Sequence, residues 1–124
     1  MSGLNDQQAR DLVQMLRRCR FDLSSEKRLQ AEMEEALRVH GVRFEREKRL
    51  SAMDIPDFLV EGGIVVECKM RAKAKKMAVY LQMRRYASYP EVACMVLATN
   101  MSMGLPEQIE GKDVYIASLS SGWM

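Results

Sequence analysis

Three ionisable residues interrupt a stretch that otherwise has the composition of buried β-strands. The stretch "DIPDFLVEGGIVVECK" covers residues 54–69. Asp57 precedes one run of apolar side chains, and Glu67 and Lys69 end a second run after a pair of glycines. A charge in an apolar interior is costly unless it is paired or binds a metal ion. Two carboxylates suit Mg²⁺ or Mn²⁺, and a nearby lysine suits metal-assisted hydrolysis of a phosphodiester.

The turn between the two runs decides whether the acids share a face of the sheet. A two-residue loop made of Gly62 and Gly63 would place Asp57 and Glu67 on opposite faces. A three-residue loop over 61–63, with Gly63 in the left-handed conformation, would pair Asp57 with Glu67. Opposed side chains then lie about 5 Å apart at Cβ. Only this second register builds a site, and we predict it, although the glycine pair is compatible with both.

Two helices are predicted before the hairpin. Apolar residues at helical spacing predict a first helix over residues 5–18, in which Asn5 and Gln8 form a capping box. The same spacing predicts a second helix over 26–40, whose N-cap is one of the serines at 24–25.

Strands and a third helix complete the predicted order, which is α, α, β, β, β, α, β, β. A meander of strands followed by a helical crossover implies a mixed sheet with helices packed on it. The predicted strands lie at 42–50, 55–60, 64–69, 92–99 and 113–119, and the third helix lies at 72–89 and is stopped by Pro90.

Composition sets limits on the class of protein. We expect one domain over residues 1–124, with a core of about 24–120 and an N-terminal helical extension over 1–23. Hydrophobic residues make up 48% and charged residues 29%, as in ordinary globular proteins. No apolar run is long enough to span a membrane, and we expect a cytoplasmic protein without a membrane partner. Scattered cysteines indicate reduced thiols; they are Cys19, Cys68 and Cys94.

The single histidine restricts the chemistry that the chain can perform. His40 lies in the last turn of the predicted second helix, where it is typical of a partner for the helix dipole. Zinc sites with several histidines and a Ser-His-Asp triad are therefore excluded. Any reaction must use carboxylates and lysine, and we expect no small-molecule cofactor.

The spacing of these residues resembles a known motif. Pro56-Asp57, followed after a short hairpin by Glu67-Cys68-Lys69, is similar to the PD-(D/E)XK nuclease motif. The segment "QMRRY", residues 82–86, is similar to the QxxxY motif that several nuclease families of this superfamily carry on the next helix. The segment "SEKRLQ", residues 25–30, also resembles the helix opening of small stand-alone nucleases related to the VRR-NUC and Holliday-junction-resolvase branches. The resemblance implies an α/β (α+β) fold with a restriction-endonuclease-like core. In such a core the elements follow the order α-β-β-β-α-β, and helices flank a mixed central sheet. This chain would have an extra N-terminal helix.

The resemblance also implies roles for individual residues. Asp57 and Glu67 would be ligands of Mg²⁺ or Mn²⁺, and the backbone carbonyl of Cys68 would be a further ligand. The Cys68 side chain would point the opposite way, into the core. Lys69 would be the catalytic lysine. The remaining residues of the implied catalytic set are Glu26, Gln82 and Tyr86.

Glu26 is included because the superfamily often adds a glutamate from the helix before the hairpin. At 100° per residue, Glu26 lies within the apolar stripe of Leu29, Met33 and Leu37, and Gln30 lies at the edge of that stripe. We therefore favour Glu26 as a metal ligand with Gln30 beside it. The alternative is that Glu26 is an ordinary acid in a first helical turn, where the helix dipole favours it.

Charge indicates a polyanionic partner. The net charge is only +2, but the segment 69–85 contains seven basic residues and no acid. Such a segment suits contacts with phosphates. Arg84 and Arg85, taken singly, are more typical of a solvated helix face. Residues 45–50 are more typical of a solvated strand. The residues that we expect to contact nucleic acid are Gln30, Arg71, Lys73, Lys75 and Lys76.

These observations together predict a metal-dependent DNA endonuclease that acts in DNA recombination or repair. The small size and the resemblance also fit a phage protein. A chain this small has no room for a separate specificity domain, so we expect selectivity for branched, flap or nicked DNA. Cutting both strands of a branch needs two sites, which favours a C₂ homodimer. The alternative is a non-catalytic nucleic-acid-binding module that retains the nuclease fold.

Overall fold

The structure is a computed structural model that describes residues 3–70 and 75–121. These residues contain three helices and eight strands. The helices are α1 (Gly3–Arg18), α2 (Glu26–Val39) and α3 (Lys76–Ala87). The strands are β1 (Arg20–Phe21), β2 (Phe44–Arg46), β3 (Phe58–Val60), β4 (Ile64–Lys69), β5 (Cys94–Thr99), β6 (Gln108–Ile109), β7 (Lys112–Ser118) and β8 (Ser120–Ser121). In these residues no helix is both long and apolar enough to cross a membrane.

A six-stranded mixed sheet forms the centre of the fold, in the order β2-β3-β4-β5-β7-β6. Strands β2, β3 and β4 form an antiparallel meander, and β4, β5 and β7 run parallel to one another. The short strands β1 and β8 form a separate parallel pair. The predicted mixed sheet with flanking helices is confirmed. From α2 to β5 the elements follow the predicted order α-β-β-β-α-β.

The sheet separates two apolar layers, because successive strand residues point to opposite faces. On β4, Ile64 and Val66 lie in the layer that α1 and α2 cover, whereas Val65 lies in the layer that α3 covers. The first layer also contains Leu12 and Leu16 of α1, which are at most 5% exposed. Burial on both sides explains why β4 and β5 have continuous apolar runs instead of an alternating pattern.

The second helix begins and ends at residues that the sequence indicates. Ser25 is the N-cap of α2, because its Oγ accepts a hydrogen bond from the backbone N–H of Arg28 at 3.1 Å. The chain leaves the helix through His40, whose Nδ1 lies 2.9 Å from the carbonyl oxygen of Ala36. Gly41 follows with φ of +71°. The predicted apolar stripe is fully buried and consists of Leu29, Met33 and Leu37.

Two expectations about element ends are wrong. Helix α1 begins at Gly3, so Asn5 lies inside its first turn and does not cap it. The other member of the predicted capping box, Gln8, donates its side-chain amide to the carbonyl of Glu61 in the hairpin turn. Strand β2 ends at Arg46, well before residue 50, because Glu47 adopts a left-handed φ of +54°. The start predicted for the third helix, residues 72–74, lies outside the described residues.

The β3–β4 hairpin has the predicted register. Phe58 pairs with Val66, and residues 61–63 form the turn. One position beyond this ladder, residue 57 stands opposite residue 67. Gly63 has φ of +84°, and a Cβ atom there would lie 2.6 Å from the carbonyl oxygen of Glu91. Only glycine fits this turn, which fixes the register and brings the two acids together.

Candidate active site

The carboxylates of Asp57 and Glu67 each accept a hydrogen bond from a backbone amide on the other side of the hairpin. The backbone N–H of Asp57 donates to Glu67 Oε1 at 3.0 Å. The backbone N–H of Cys68 donates to Asp57 Oδ2 at 2.7 Å. Each acid is therefore held by an amide from the strand segment that carries the other acid. Sheet register and site geometry depend on each other for this reason.

Glu67 lies in the interior, and its partners come from two elements. It is 4% exposed. On its own strand, Lys69 Nζ lies 3.4 Å from Glu67 Oε2. From α3, the hydroxyl of Tyr86 donates to Glu67 Oε1 at 3.2 Å, and Tyr86 is 1% exposed. Because β4 lies between β3 and β5, the Glu67–Lys69 pair is not a solvated ion pair on an edge strand.

Asp57 is held from the opposite side by α2. Gln30 Nε2 donates to Asp57 Oδ1 at 3.2 Å, and Arg46 Nη2 in turn donates to Gln30 Oε1 at 3.3 Å. Glu26 is half-buried, and its charge acts on Asp57. Within residues 3–70 and 75–121, however, Glu26 forms no hydrogen bond with either carboxylate. The contact from α2 is thus made by Gln30, and the role of Glu26 as a ligand stays a prediction.

Burial makes both acids weaker than usual. Desolvation raises the pKa of Asp57 to about 6, against the opposing effects of the Cys68 N–H and the Lys69 ammonium. Desolvation and the charge of Asp57 raise the pKa of Glu67 to about 7, although Lys69 favours its ionised form. The charges of Lys69 and Arg46 therefore do not compensate the desolvation of the two carboxylates. A pair that is short of positive charge favours binding of a cation.

The donors at this pair fit a hard cation that keeps part of its water. In the described part of the chain, no three side chains of His, Cys, Asp or Glu are close enough to hold a metal ion by themselves. Both oxygens of Asp57 and Oε2 of Glu67 each have one polar partner among these residues, which leaves each oxygen a further lone pair. Mg²⁺ commonly binds through one or two carboxylates and completes its shell with water. Asp57 and Glu67 are suitable for that mode.

Cys68 can contribute only its backbone. Its side chain is fully buried, and Sγ lies 3.6 Å from Met33 Sδ in the layer under α2. The expected inward orientation of the Cys68 side chain is confirmed. Its carbonyl as a metal ligand stays a prediction.

The other predicted residues lie on or near α3. Lys75 and Lys76 are exposed at the start of the helix, a few residues after Lys69 ends β4. Gln82 is half-buried one turn before Tyr86, and among the described contacts it has no hydrogen bond to Asp57 or Glu67. Arg71 and Lys73 lie outside the described residues, and the contacts of all these basic residues with nucleic acid stay a prediction.

Sequence reasoning missed a further buried acid next to the site. Asp54 is 6% exposed; it accepts a hydrogen bond from Arg85 Nε of α3 at 2.8 Å and another from the hydroxyl of Tyr89, two residues after the end of α3, at 2.7 Å. Burial alone would raise the pKa of Asp54, but these two hydrogen bonds and the charge of Arg85 lower it below its usual value. The loop also folds on itself, since Ser51 Oγ accepts the N–H of Asp54 at 3.2 Å. This cluster anchors the loop that leads to Asp57. Arg85 and Tyr89 lie four residues apart in the sequence, but nothing local distinguishes them from solvated side chains.

One surface groove of the described residues lies away from the acid pair. A groove of about 420 Å³ runs between α1, the end of α2 and the hairpin turn, with Met15, His40 and Val60 among its lining residues. It contains none of the predicted site residues. The acid pair is not at the bottom of this groove, so the chemistry of the side chains, and not the shape of the surface, indicates the site.

Comparisons with protein-family models, with curated proteins and with solved structures found no match. Membership of the nuclease superfamily is therefore not established by similarity. The functional interpretation rests on the residues of the acid pair, their contacts and the order of the elements around them.

Proposed function

We propose that this chain is a Mg²⁺- or Mn²⁺-dependent DNA endonuclease with a restriction-endonuclease-like core of the PD-(D/E)XK type. One observation carries the proposal. Asp57 is half-buried and Glu67 is buried, and the two lie side by side on neighbouring antiparallel segments, with Lys69 Nζ 3.4 Å from Glu67. Two features support it: the α-β-β-β-α-β order from α2 to β5, and the contact that Tyr86 of the QxxxY pattern makes with Glu67.

Each side chain has a role in this proposal. Asp57 and Glu67 would hold the cation, and the resemblance implies the Cys68 carbonyl as a further ligand. When bound, Mg²⁺ or Mn²⁺ supplies Lewis-acid stabilisation of the charge that develops on the phosphate. Lys69 would hold the attacking water or donate a hydrogen bond to a phosphate oxygen. The Tyr86 hydroxyl and the strand amides keep the carboxylates oriented, so little reorganisation is needed during the reaction.

The proposed substrate is DNA because basic residues follow the acid pair in the chain and on α3. Lys75 and Lys76 are exposed at the N-terminal end of α3, where phosphates would gain both from their charge and from the helix dipole. Arg71 and Lys73 belong to the same basic segment. We propose selectivity for branched, flap or nicked DNA, and a C₂ homodimer where both strands are cut.

A cleavage panel tests the proposal. Single-stranded, duplex, nicked, flap and four-way-junction DNA would be incubated with the protein and Mg²⁺ or Mn²⁺, beside Glu67→Gln. This variant keeps the shape of the side chain and its acceptor oxygen but removes the charge. We expect the wild type to cut at least one branched or nicked substrate, and the variant to lose at least about 100-fold in rate, since charge-stabilising groups contribute at that level.

The matched control is Glu45→Gln, the same chemical change on strand β2 of the same sheet. The Glu45 side chain is 66% exposed, so its variant should cut like the wild type. If wild type and Glu67→Gln both bind DNA in a gel and neither cuts, the chain is the non-catalytic binding module that the sequence left as an alternative. If the wild type neither binds nor cuts any of these substrates, the proposal is wrong.

A further inference from the structure

Arg46 reaches the acid pair through the side chain of Gln30. Arg46 Nη2 donates to Gln30 Oε1 at 3.3 Å, and Gln30 Nε2 donates to Asp57 Oδ1 at 3.2 Å. The guanidinium is itself fixed, because Nη1 lies 2.6 Å from Glu34 Oε1 and the group lies over the ring of Phe58 at 5.8 Å. The Arg46 side chain is 30% exposed, unlike the solvated strand position that the sequence indicates.

The charges on either side of Gln30 determine the orientation of its carboxamide. A guanidinium offers only hydrogen-bond donors, and an ionised carboxylate offers only acceptors. With its oxygen toward Arg46 and its nitrogen toward Asp57, Gln30 satisfies both groups. Turning the amide by half a turn would set oxygen against carboxylate and nitrogen against guanidinium. Hydrogen bonds to charged groups are about twice as strong as neutral ones, so both reversed contacts would be unfavourable.

We propose that Arg46 is a positioning residue, which orients Asp57 for cation binding by fixing the Gln30 amide. Gln30 holds Oδ1 of Asp57, and the N–H of Cys68 holds Oδ2 at 2.7 Å, so the carboxylate is fixed at both oxygens. Without Arg46 the amide can turn, and the contact with Oδ1 is lost for part of the time. The bound cation rests on the proposed function, whereas the orientation of Asp57 does not.

Arg38 provides a matched control for Arg46. Both arginines pair with Glu34. Each guanidinium also lies over a phenylalanine ring, that of Arg38 over Phe44 at 5.9 Å and that of Arg46 over Phe58. Only Arg46 contacts Gln30. The experiment compares Arg46→Met with Arg38→Met. Mn²⁺ binding to the full chain is measured by titration calorimetry, without DNA. We expect about tenfold weaker binding for Arg46→Met, the usual loss when a partner of a metal ligand is removed, and less than twofold for Arg38→Met.

A second measurement does not depend on metal or on cleavage. The backbone amide proton of Cys68 donates to Asp57, so its NMR chemical shift reports the position of that carboxylate. We expect the shift to change in Arg46→Met and to stay constant in Arg38→Met. Gln30→Met should reproduce the change. Adding Arg46→Met to Gln30→Met should then have no further effect, because the two act in series.

The outcomes separate the two proposals. If the Cys68 amide responds to Arg46→Met but the wild type neither binds Mn²⁺ nor cuts DNA, Arg46 positions Asp57 and the nuclease proposal fails. If Arg46→Met and Arg38→Met give the same Cys68 shift and the same Mn²⁺ affinity, Arg46 has no positioning role. Arg46→Lys keeps the charge but lacks the planar guanidinium whose two nitrogens contact Glu34 and Gln30, and it provides the same comparison if Arg46→Met does not fold.

Discussion

Replacing Arg85 by methionine should destabilise the protein much more than the same replacement of Arg84. The two arginines are neighbours on α3, their side chains are 54% and 56% exposed, and each pairs with one acid. The acids differ. The Asp54 side chain, which pairs with Arg85, is 7% exposed, whereas that of Glu110, which pairs with Arg84, is 53% exposed. Only the first replacement leaves a carboxylate buried without its cation.

The expected magnitude follows from this difference in burial. Removing one partner of a fully buried ion pair costs about 3–5 kcal/mol, and removing an exposed pair costs about 0–1 kcal/mol. Arg85 itself is half-exposed, and Asp54 keeps the Tyr89 hydroxyl and the Ser51 turn. We therefore expect a loss of about 1.5–2.5 kcal/mol for Arg85→Met. Since arginine and methionine have similar helix propensities, Arg84→Met should lose at most about 0.5 kcal/mol.

Urea unfolding at pH 7, followed by circular dichroism, measures both variants. With a urea dependence of about 1–3 kcal/mol per molar, Arg85→Met should unfold at a midpoint roughly 1 M lower than Arg84→Met. The pKa of Asp54 is depressed in the fold, so its stabilisation is present above the unfolded value of 3.8 and is lost as pH falls through the folded value. The difference between Arg85→Met and wild type should shrink below about pH 4. Equal midpoints for the two variants at pH 7 would refute the anchoring role of Asp54.

Three further changes test the acid pair and the hairpin turn. Glu67→Gln should stabilise the metal-free protein at pH 8 by about 1–3 kcal/mol in urea unfolding, because it removes one of two like charges that are buried together. The pKa values of Asp57 and Glu67 are raised in the fold, so metal-free wild type should lose stability as pH rises from about 5 to 8, and Glu67→Gln should reduce this slope. A rising slope would contradict the assignment. Gly63→Ala should lower the free energy of unfolding by more than about 2 kcal/mol, because its Cβ would meet the Glu91 carbonyl. Gly41 also has a positive φ but has open space around it, so Gly41→Ala should lower the free energy of unfolding by about 1 kcal/mol.

Local patterns were sufficient to predict the elements that position the acids. The apolar stripe of α2 and its serine cap follow from helical periodicity and from hydrogen bonding over three residues. The hairpin register was predicted from the functional hypothesis that Asp57 lies opposite Glu67, because the glycine pair alone is compatible with two registers; the turn at Gly63 permits the observed one. Each of these signals is contained within about twenty consecutive residues. Predictions of this kind depend little on the rest of the fold.

Contacts between distant segments were not predictable in the same way. Arg85 lies 31 residues after Asp54 in the chain, and its helix position is compatible with full solvation. Arg46 lies in a stretch of alternating charges that is typical of an exposed strand, yet it contacts α2 and the ring of Phe58. Nothing in the local sequence distinguishes a charged side chain that reaches solvent from one that reaches a buried partner. Packing of α3 and α2 against the sheet decides between them.

The two buried acid clusters show opposite electrostatic arrangements, and the contrast bears on function. For Asp54, Arg85 and Tyr89 favour the anion strongly enough to lower its pKa in spite of burial. For Asp57 and Glu67, Lys69, Arg46 and the strand amides do not outweigh desolvation, and both pKa values are raised. The fold can therefore supply sufficient positive charge to a buried acid, and at the pair it does not. Stability alone would favour replacing such a pair by apolar side chains. A deficit of positive charge at two adjacent carboxylates is the condition that a bound Mg²⁺ or Mn²⁺ would relieve, so it supports the proposed metal site.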